Sequence, residues 1–486
     1  MIRNFMLENV DINMLKGLYL ITDHGDRLIE RVSQALTGGV STLQYRNKEK
    51  DYPARLDEAG KLQRLCAERG VTFIINDDLK LAAELDAGGV HLGQEDGSIA
   101  EARKILGSGK IIGVSTHTLA EALRAAADGA DYIGFGAMYP TGSKQVRHMP
   151  GPAALAAVKA EVAIPVVAIG GINRDNAGEV IDAGADAMAV IAAVLTNADP
   201  GLAAAELALL FNRRKPFPRG SVLTVAGSDS GGGAGIQADI KTVTLLGSYA
   251  ASVITALTAQ NTLGVSGIHG IPATFVAAQL DAVFSDIPVD VVKTGMLFSR
   301  EIIATLADKL AANNKKLLVL DPVMVAKGGS RLIGEDAVAT LVEKLMPLAF
   351  LVTPNVPEAE ALTGVTIGDE DSMHQAAQVL LAMGARNVLI KGGHLPGQES
   401  VDILFGSGSI RRYSAARVAT PNTHGTGCCY ASAIAAFLAQ GIPLPLAVAR
   451  SKEFITTAIG LAVPLGGGHG PVNHFAAAHK ITGYKG

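Results

Sequence analysis

The sequence predicts two α/β domains in tandem, a (β/α)8 barrel followed by a doubly wound, mostly parallel sheet. Three observations support this. In the first 210 or so residues, eight short apolar runs alternate with alanine-rich stretches of helical spacing. After Ser221, buried strands again alternate with helices, and the first of these strands leads into a glycine-rich turn at 231–235. A basic, Pro-containing segment at 213–220 separates the two patterns. We therefore predict domains at 1–212 and 221–486, joined by a linker at 213–220.

Composition limits the kinds of partner. The chain has 486 residues, 48% hydrophobic and 18% charged, enough for two or three cores. A formal charge of −4 gives no reason to expect nucleic acid or an anionic membrane as partner. The three cysteines form no disulfide framework, the N-terminus lacks a signal-peptide core, and no apolar run is long enough to span a membrane. We expect a cytoplasmic protein with small-molecule substrates.

The eight apolar runs of the first half are the predicted barrel strands. They are Leu18–Thr22, Val40–Tyr45, Thr72–Ile75, Val90–Leu92, Ile111–Val114, Tyr132–Phe135, Pro165–Ile169 and Ala187–Ile191. An open doubly wound sheet is the alternative, but the count favours a closed barrel. Chemistry in such barrels lies at the C-terminal ends of the strands.

The end of the second predicted strand carries alternating polar residues. Gln44, Arg46 and Lys48 are spaced by two, so a strand directs them to one face. Two cations and a neutral donor suit a pyrophosphate. The sequence therefore indicates a diphosphate site at this edge of the barrel.

Acidic residues follow the next two strands. Asp77 comes after the third strand and Asp96 after the fourth, opposite the Arg/Lys pair. Carboxylates placed in this way predict a binding site for Mg²⁺, which takes oxygen ligands from both carboxylates and phosphates. The alternative is that Asp77 or Asp78, together with Asp96, merely caps the next helix.

A second anion site is predicted after the last three strands. Thr141, Ser143 and Lys144 follow strand six, Gly170-Gly171 follows strand seven, and Ile191-Ala192 ends strand eight. Loops at these positions that lead into a helix N-terminus commonly bind phosphate in barrels.

The first half resembles thiamine-phosphate synthase over residues from about 15 to 200. The resemblance rests on motifs that occur in order, namely Leu18–Thr22, Gln44-x-Arg46-x-Lys48, Ile75–Asp77, Gly89–Asp96, Gly113–Ser115, Pro140-Thr141-x-Ser143-Lys144 and Ala168–Ile172. It implies that 4-amino-5-hydroxymethyl-2-methylpyrimidine diphosphate is a substrate. It also implies Mg²⁺ on Asp77 and Asp96.

The same resemblance implies roles for the remaining residues of the first half. The pyrimidine diphosphate would be held by Gln44, Arg46, Lys48, Asn76, Ser115 and Lys144. The thiazole phosphate would be held by Thr141, Ser143, Gly171, Ile191 and Ala192. Arg46, Lys48 and Lys144 would assist pyrophosphate departure, and no protein nucleophile is required. Ala192 departs from the family, which usually carries Ser there, so a hydroxyl contact is lost and a backbone contact survives.

In the second half, the predicted buried strands share a parallel, doubly wound pattern. They are Val222–Ala226, Val289–Lys293, Lys316–Leu320, Phe350–Thr353 and Val388–Lys391. The Gly-rich turn at Gly231–Gly235 does not have the Gly-x-x-x-x-Gly-Lys-Ser/Thr form, so it is not a P-loop.

The predicted phosphate site of this half lies near its end. Gly425, Thr426, Gly427 and Cys428 lead directly into an apolar helix, and backbone N–H groups at that helix start form an anion hole for a transferring phosphoryl group. This position predicts a lowered pKa for Cys428, which could then act as a base toward a substrate hydroxyl. The alternative is a small buried residue at a helix start, the role expected of Cys429.

Three further residues, which come earlier in the chain, complete this predicted site. Glu358 is a candidate Mg²⁺ ligand, directly or through water, and Asn355 lies near the phosphates. Lys391 ends the next strand and offers a cation to ATP.

From about 222 to 480 the chain resembles hydroxymethylpyrimidine/phosphomethylpyrimidine kinase of the ribokinase-like fold. The motifs are Ala226–Asp229, Thr258–Asn261, Lys293–Met296, Asp321–Met324, Asn422–Cys428 and Gly470-Pro471-Val472-x-His474. The resemblance implies a pyrimidine pocket formed by Gly227, Asp229, Ala234, Gln260, Met296 and Val323. It also implies ATP as co-substrate and a homodimer formed through this domain.

Together the two halves predict a bifunctional enzyme of thiamine biosynthesis. The second half would phosphorylate the hydroxymethylpyrimidine and then its monophosphate, and the first half would condense the diphosphate with 4-methyl-5-(2-phosphoethyl)thiazole. Two alternatives are a pyridoxal-type kinase and a kinase fused to a non-catalytic ligand-binding barrel.

Overall fold

The computed structural model describes residues 15–142, 148–324, 333–406 and 409–482. The chain forms two compact units, which divide between Phe211 and Asn212. The residues of the predicted linker, 213–220, fall in the second unit. Asn212 belongs to the same unit, since its Nδ2 donates a hydrogen bond of 2.7 Å to the buried carbonyl of Ala439.

The first unit is a closed barrel of eight parallel strands that pair in sequence order, so the predicted barrel is confirmed and the open sheet is excluded. The strands are β1 (Gly17–Ile21), β2 (Val40–Tyr45), β3 (Thr72–Asn76), β4 (Gly89–Leu92), β5 (Ile111–Thr116), β6 (Tyr132–Gly136), β7 (Val166–Ile169) and β8 (Ala187–Val190). The helices are α1 (Leu28–Leu36), α2 (Tyr52–Arg69), α3 (Leu79–Glu84), α4 (Ile99–Leu106), α5 (Leu119–Ala127), α6 (Gly151–Glu161), α7 (Ala177–Asp182), α8 (Ala192–Leu195) and α9 (Pro200–Leu209).

Local sequence explains where many of these helices begin. A side-chain oxygen accepts a hydrogen bond from a backbone amide in the first turn of α2, α3, α4, α5 and α9. The capping residues are Asp51, Asp78, Ser98, Thr118 and Asp199. The caps of α2 to α5 each follow a loop from the C-terminal end of a strand, so these strand ends are fixed relative to the helices around them.

The barrel has two apolar layers. A large outer layer packs between the strands and the surrounding helices. A smaller inner layer fills the barrel itself and includes two fully buried tyrosines, Tyr19 and Tyr132. Buried tyrosine hydroxyls need hydrogen-bond partners, so the barrel interior must contain a polar path.

The second unit is a nine-stranded sheet in the order β11-β10-β9-β12-β13-β14-β15-β16-β17. The strands are β9 (Ser221–Asp229), β10 (Tyr249–Asn261), β11 (Gly264–Gly270), β12 (Val291–Thr294), β13 (Leu318–Leu320), β14 (Ala349–Val352), β15 (Asn387–Lys391), β16 (Glu399–Gly406) and β17 (Ser409–Ala416). The central strands are parallel, and an antiparallel hairpin lies at each edge. The five predicted strands correspond to β9 and β12–β15, and sequence analysis missed the two edge hairpins, including β10, which also pairs parallel with β9.

The helices of the second unit cover the sheet. They are α10 (Gly235–Leu245), α11 (Ala273–Phe284), α12 (Arg300–Ala312), α13 (Glu335–Thr340), α14 (Val356–Thr363), α15 (Glu370–Ala382), α16 (Thr426–Ala439), α17 (Leu444–Gly460) and α18 (His474–Thr482). The apolar helix predicted after Cys428 is α16, and eleven of its fourteen residues are buried. In the described part of the chain, no helix is both long and apolar enough to cross a bilayer.

A fully buried ion pair lies in the core of the second unit. Lys293 on β12 contacts both carboxylate oxygens of Asp239 on α10, at 2.8 and 2.9 Å, and neither side chain is exposed. Ser432 on α16 donates a hydrogen bond of 2.7 Å to the same carboxylate. The pair therefore joins the sheet to two helices.

Breaking this pair is expected to destabilise the second unit severely. Lys293→Met leaves the Asp239 charge buried without a cation, which lowers the free energy of unfolding by about 3–5 kcal/mol. Chemical denaturation of the full chain measures this change. Lys309→Met is the matched control, because its ion pair with Asp281 is partly exposed, and it costs at most about 1 kcal/mol. Equal effects of the two substitutions would contradict the prediction.

Candidate active sites

Two carboxylates meet at the C-terminal mouth of the barrel. Asp77 follows β3 with a φ of 62°, in the left-handed region. Its Oδ2 lies 2.8 Å from the Nζ of Lys48. Burial, and then a hydrogen bond with the Asp77 side chain, raise the pKa of Asp96 above its usual value. The predicted acids and one predicted lysine are therefore brought together, and the carboxyl pair has the donor set that a divalent cation would take.

The capping alternative for these two acids is wrong. The residue that caps α3 is Asp78, whose Oδ1 accepts a hydrogen bond of 2.9 Å from the Leu81 amide and whose Oδ2 pairs with Arg55 at 3.0 Å. The residue that caps α4 is Ser98. Asp77 and Asp96 thus cap neither helix, which leaves their carboxylates for another role.

A continuous hydrogen-bonded path crosses the inside of the barrel. Gln44 Nε2 donates to the Tyr19 hydroxyl at 3.1 Å, and the Tyr19 and Tyr132 hydroxyls are 2.9 Å apart. The Tyr132 hydroxyl lies 2.8 Å from His91 Nδ1, and His91 Nε2 lies 2.9 Å from Ser115 Oγ. We call these five residues the interior chain.

The interior chain is built from neutral groups. Burial lowers the pKa of His91 to about 4 and raises the pKa of Tyr132 well above its usual value. Gln44 and Ser115 were predicted from the sequence. Tyr19, Tyr132 and His91 were missed, since tyrosines inside strands look like ordinary core residues and His91 appeared only as part of a motif.

The remaining predicted barrel residues also lie at strand ends. Arg46 follows β2, where its backbone is held by Thr22 through hydrogen bonds of 2.8 and 3.0 Å, and Asn76 ends β3. Gly171 has a φ of 65°, and a Cβ there would lie 2.4 Å from the Pro140 carbonyl, so glycine lets the loops after β6 and β7 approach. Ile191 and Ala192 begin α8, and Thr141 lies in the loop after β6. Ser143 and Lys144 lie outside the described residues.

A large cavity in the second unit gathers all of that unit's predicted site residues. The cavity has a volume of about 1120 Å³ and lies at the C-terminal edge of the parallel strands. Its lining includes Gly227, Asp229, Ala234, Gln260, Met296, Val323, Asn355, Glu358, Lys391, Gly425, Thr426, Gly427 and Cys428.

At one end of this cavity, Asp229 organises the Gly-rich turn. Its carboxylate accepts hydrogen bonds from the amides of Gly231, Gly233 and Ala234 at 2.8 to 3.0 Å. His424 Nε2 lies 3.0 Å from the same carboxylate and 3.3 Å from Gln260 Nε2. Burial alone would raise the pKa of Asp229, but the hydrogen bond from His424 lowers it below its usual value. The predicted pocket residues Asp229 and Gln260 therefore both contact His424.

A second charged cluster lies beside the start of α16. Lys391 Nζ is 2.9 Å from Asp321 Oδ1, and both side chains are almost fully buried. A Cβ on Gly427 would be 3.6 Å from Lys391 Nζ and 4.0 Å from Asp321 Oδ2. Burial raises the pKa of Glu358 to about 7, with Lys391 acting in the opposite direction. Glu358 also forms a capping box with Asn355 at the start of α14.

Asp321 was not predicted as a site residue. It directly follows β13 and opens the motif Asp321–Met324, so its position after a parallel strand was the available signal. Its Oδ2 is buried and has no hydrogen-bond partner among the described residues. An unpaired carboxylate oxygen beside a lysine and an anion hole fits a bound cation.

The predicted lowering of the Cys428 pKa is wrong. Desolvation raises the pKa of this half-buried thiol to about 11, and the charge of Lys293 only partly offsets the rise. Burial therefore outweighs the field at the helix start. Cys428 is a protonated thiol at neutral pH in this structure.

Cys429 has a partner that the sequence did not reveal. Its buried thiol lies 3.0 Å from Nε2 of His474, the first residue of α18. Burial lowers the pKa of His474 to about 4. A neutral imidazole accepts the thiol hydrogen, so the pair ties α16 to α18.

His474 is expected to make the stability of the second unit depend on pH. Its pKa is about 4 in the folded protein against a usual 6.5, so the unfolded chain takes up the proton first as pH falls. The neutral imidazole contributes fully above pH 6.5, and about 3 kcal/mol is lost as the pH falls to 4. Denaturation of wild type and His474→Gln across this range checks it. A constant difference between the two proteins would contradict the prediction.

Both units match known protein families. The family described as thiamine monophosphate synthase matches residues 18–194, and the family described as phosphomethylpyrimidine kinase matches residues 229–473. The thiamine biosynthesis bifunctional protein ThiED of Geobacter sulfurreducens is 64% identical over 469 residues, which cover 96% of each chain. The chain belongs to the ThiED family of bifunctional thiamine biosynthesis proteins.

Other relatives match this chain in whole or in part. The multifunctional ThiED of Corynebacterium efficiens is 36% identical over 96% of this chain and 65% of its own length. A hydroxymethylpyrimidine/phosphomethylpyrimidine kinase of Rhizobium meliloti is 53% identical over 52% of this chain and 96% of its own. The crystal structure of an ADP complex of Bacillus subtilis pyridoxal kinase is 37% identical, with a TM-score of 0.50, and covers 53% of this chain and 98% of that one.

These matches decide between the functional alternatives. The chain joins a thiamine-phosphate synthase domain to a hydroxymethylpyrimidine/phosphomethylpyrimidine kinase domain of ribokinase-like fold. The kinase domain implies ATP as its co-substrate. The match to a bifunctional relative over nearly the whole chain favours this assignment over a pyridoxal-type kinase or a non-catalytic ligand-binding barrel.

Proposed function

We propose that the second unit phosphorylates 4-amino-5-hydroxymethyl-2-methylpyrimidine twice with ATP, and that the first unit joins the diphosphate to the thiazole phosphate. The observation that carries the proposal is an arrangement present in both units. Each places two carboxylates beside a lysine at the C-terminal edge of its parallel strands. These are Asp77 and Asp96 with Lys48 in the barrel, and Asp321 and Glu358 with Lys391 in the kinase.

Mg²⁺ fits both arrangements. Among the described residues, no group of three or more His, Cys, Asp or Glu side chains forms a ready metal cage. Mg²⁺ is commonly held by one or two carboxylates and completes its coordination with water and substrate phosphates. Asp77 and Asp96 would hold it in the barrel, and Asp321 and Glu358 in the kinase. When bound there, it would neutralise phosphate charge as that charge develops.

In the kinase, the protein's own groups position the phosphoryl transfer. The amides of Gly425, Thr426 and Gly427 receive the transferring phosphoryl group, and Lys391 supplies a positive charge beside them. Asn355 lies next to the phosphates. Cys428 contacts the reacting hydroxymethyl group as a thiol, because a pKa of about 11 leaves little thiolate to act as a base.

The pyrimidine itself is held at the other end of the cavity. Asp229 and Gln260, which both lie beside His424, contact the polar atoms of the ring. Gly227, Ala234, Met296 and Val323 provide close walls for its apolar faces. The same pocket then accepts the monophosphate for the second transfer.

In the barrel, the bond between the pyrimidine methylene carbon and the diphosphate oxygen breaks first. Arg46, Lys48 and Lys144 stabilise the departing pyrophosphate, and Gln44, Asn76 and Ser115 hold the pyrimidine cation that is left. The thiazole nitrogen then donates its electron pair to that carbon. Thr141, Ser143, Gly171 and the Ile191–Ala192 backbone hold the thiazole phosphate, with no hydroxyl contribution from Ala192.

We also assign the protein to the cytoplasm. Its three cysteines form no disulfide, which fits a reducing compartment, and its kinase uses ATP.

A one-pot assay tests the whole proposal. Purified protein is incubated with MgATP, the hydroxymethylpyrimidine and the thiazole phosphate, and thiamine phosphate is followed by mass spectrometry. Product should form, and it should vanish when either ATP or the thiazole phosphate is omitted. Accumulation of the pyrimidine diphosphate alone would contradict the barrel assignment, and absence of any phosphorylation would contradict the kinase assignment.

A further inference from the structure

The interior chain joins two residues that the proposed function places on the pyrimidine. Gln44 is on β2 and Ser115 is on β5, so they are not on neighbouring strands. Between them run Tyr19, Tyr132 and His91, to which the proposed chemistry gives no role. Each link of this chain is between 2.8 and 3.1 Å long. The two ends are therefore coupled by an unbroken series of hydrogen bonds.

The direction of the hydrogen bonds is fixed from the Gln44 end. An amide nitrogen can only donate, so the Tyr19 oxygen accepts, and the Tyr19 hydrogen is left for Tyr132. The Tyr132 hydrogen then goes to His91 Nδ1. A neutral imidazole has a single N–H, which must lie on Nε2 and is donated to Ser115 Oγ.

The opposite direction leaves a buried group unsatisfied. If Ser115 donated to His91, each later link would reverse, and the Tyr19 oxygen would accept from both Tyr132 and Gln44. The Tyr19 hydrogen would then have no acceptor among its contacts in the described structure. Tyr19 is 1% exposed, so water does not replace that acceptor. Only the first direction gives both tyrosine hydroxyls of the interior chain a donor and an acceptor.

This direction determines what the two ends offer to a ligand. Ser115 accepts from His91 and keeps its own hydroxyl hydrogen to donate. Gln44 uses one amide hydrogen on Tyr19, which leaves its carbonyl oxygen to accept and its second amide hydrogen to donate. An aminopyrimidine presents the complementary groups, since its amino group donates and its ring nitrogens accept.

We propose that Tyr19, Tyr132 and His91 are positioning residues that fix Gln44 and Ser115 in one hydrogen-bonding polarity and so select an aminopyrimidine over its oxo analogue. The oxo analogue exchanges the amino donor for a carbonyl acceptor and one ring acceptor for an N–H donor. A site whose buried hydrogen-bond donors and acceptors are fixed discriminates strongly against a ligand in which donors and acceptors are exchanged. This inference rests on the proposed assignment of the pyrimidine to the barrel mouth.

The first test measures the tautomer of His91 in the wild-type protein. In full-length protein labelled with ¹⁵N-histidine, the imidazole nitrogen shifts report which ring nitrogen carries the hydrogen, and the His91 signals are assigned by their loss in His91→Gln. The expected result is a neutral ring protonated on Nε2. A ring protonated on Nδ1 would reverse the direction of the interior chain and overturn the proposal.

The second test interrupts the interior chain in its middle. Tyr132→Phe removes one hydroxyl, so both directions become available to His91 and Ser115. Thiamine phosphate formation is assayed with the aminopyrimidine diphosphate supplied directly, and the oxo analogue of that diphosphate is tested as a competing substrate. The ratio of kcat/KM for the two compounds should fall at least about tenfold, mainly through a higher KM for the amino compound.

The matched control is Tyr45→Phe. Tyr45 is a buried tyrosine on β2, 2% exposed, whose hydroxyl bonds Glu58 and not the interior chain. It should keep the wild-type ratio within about twofold.

Tyr19→Phe breaks the interior chain at another link and replaces Tyr132→Phe if that variant does not fold. A wild-type ratio in a folded chain-breaking variant would overturn the proposal. If the wild type makes no thiamine phosphate, the proposed function fails, and the imidazole measurement still decides the direction.

Discussion

Asp77→Asn is expected to lower kcat/KM for thiamine phosphate formation by at least about 100-fold, which corresponds to about 3 kcal/mol of transition-state stabilisation. The substitution removes the charge that pairs with Lys48 and stands beside Asp96 at the barrel mouth. A neutral amide binds a divalent cation weakly, so the departing pyrophosphate loses its counter-charge. The measurement uses the pyrimidine diphosphate directly, which bypasses the kinase. ATP-dependent phosphorylation by the same protein should be unchanged.

The neighbouring acid gives a control at the same strand end. Asp78 caps α3 and pairs with Arg55, and Asn caps helices as well as Asp does. Asp78→Asn should therefore keep synthase activity within about threefold of wild type. If Asp78→Asn were the inactive variant and Asp77→Asn the active one, the assignment of the cation site would be wrong.

Lys391→Met is expected to reduce both kinase steps by about 10²–10³-fold in kcat/KM while leaving the synthase intact. The substitution removes the cation that lies beside Gly427 and pairs with Asp321. Two acids then face the phosphates without compensation. Coupled detection of ADP with the hydroxymethylpyrimidine, and separately with its monophosphate, measures each step.

Loss of stability must be separated from loss of chemistry in this variant. Lys452→Met breaks a comparable buried pair, since Lys452 Nζ is 2.8 Å from Asp402 and both are largely buried. It should cost a similar 3–5 kcal/mol of unfolding free energy but keep kinase activity within about tenfold at a temperature where the protein is folded. Equal losses of activity in both variants would show that folding, and not the charge at the anion hole, determines the rate.

The barrel fold was predictable because its parallel strands are largely buried and several of them read as continuous apolar runs. Val166–Ile169 and Ala187–Val190 are of this kind. The edge hairpins of the second sheet were not predictable in the same way. β17 is almost wholly exposed, and β10 is exposed over its second half, so neither shows a core pattern.

The placement of site residues was predictable where a charge ends or follows an apolar strand, and it was not predictable where contact between distant residues decides. Lys391 and Asp77 belong to the first kind. The Cys429–His474 pair spans 45 positions, and the Tyr19–Tyr132 contact spans 113, so no local pattern marks either. The pKa of Cys428 depends on how much water surrounds the thiol, a property of packing that residue types alone do not determine.

The interior chain also constrains how such a protein can vary. Its five members occupy positions 19, 44, 91, 115 and 132, on strands β1, β2, β4, β5 and β6. Substituting one of them leaves a neighbouring side chain without its hydrogen-bond partner, whereas a coordinated replacement of several can restore an unbroken series of hydrogen bonds. In laboratory evolution these positions form one epistatic unit, so a library that randomises them jointly can reach nucleobase selectivities that one-at-a-time mutagenesis would discard at its first step.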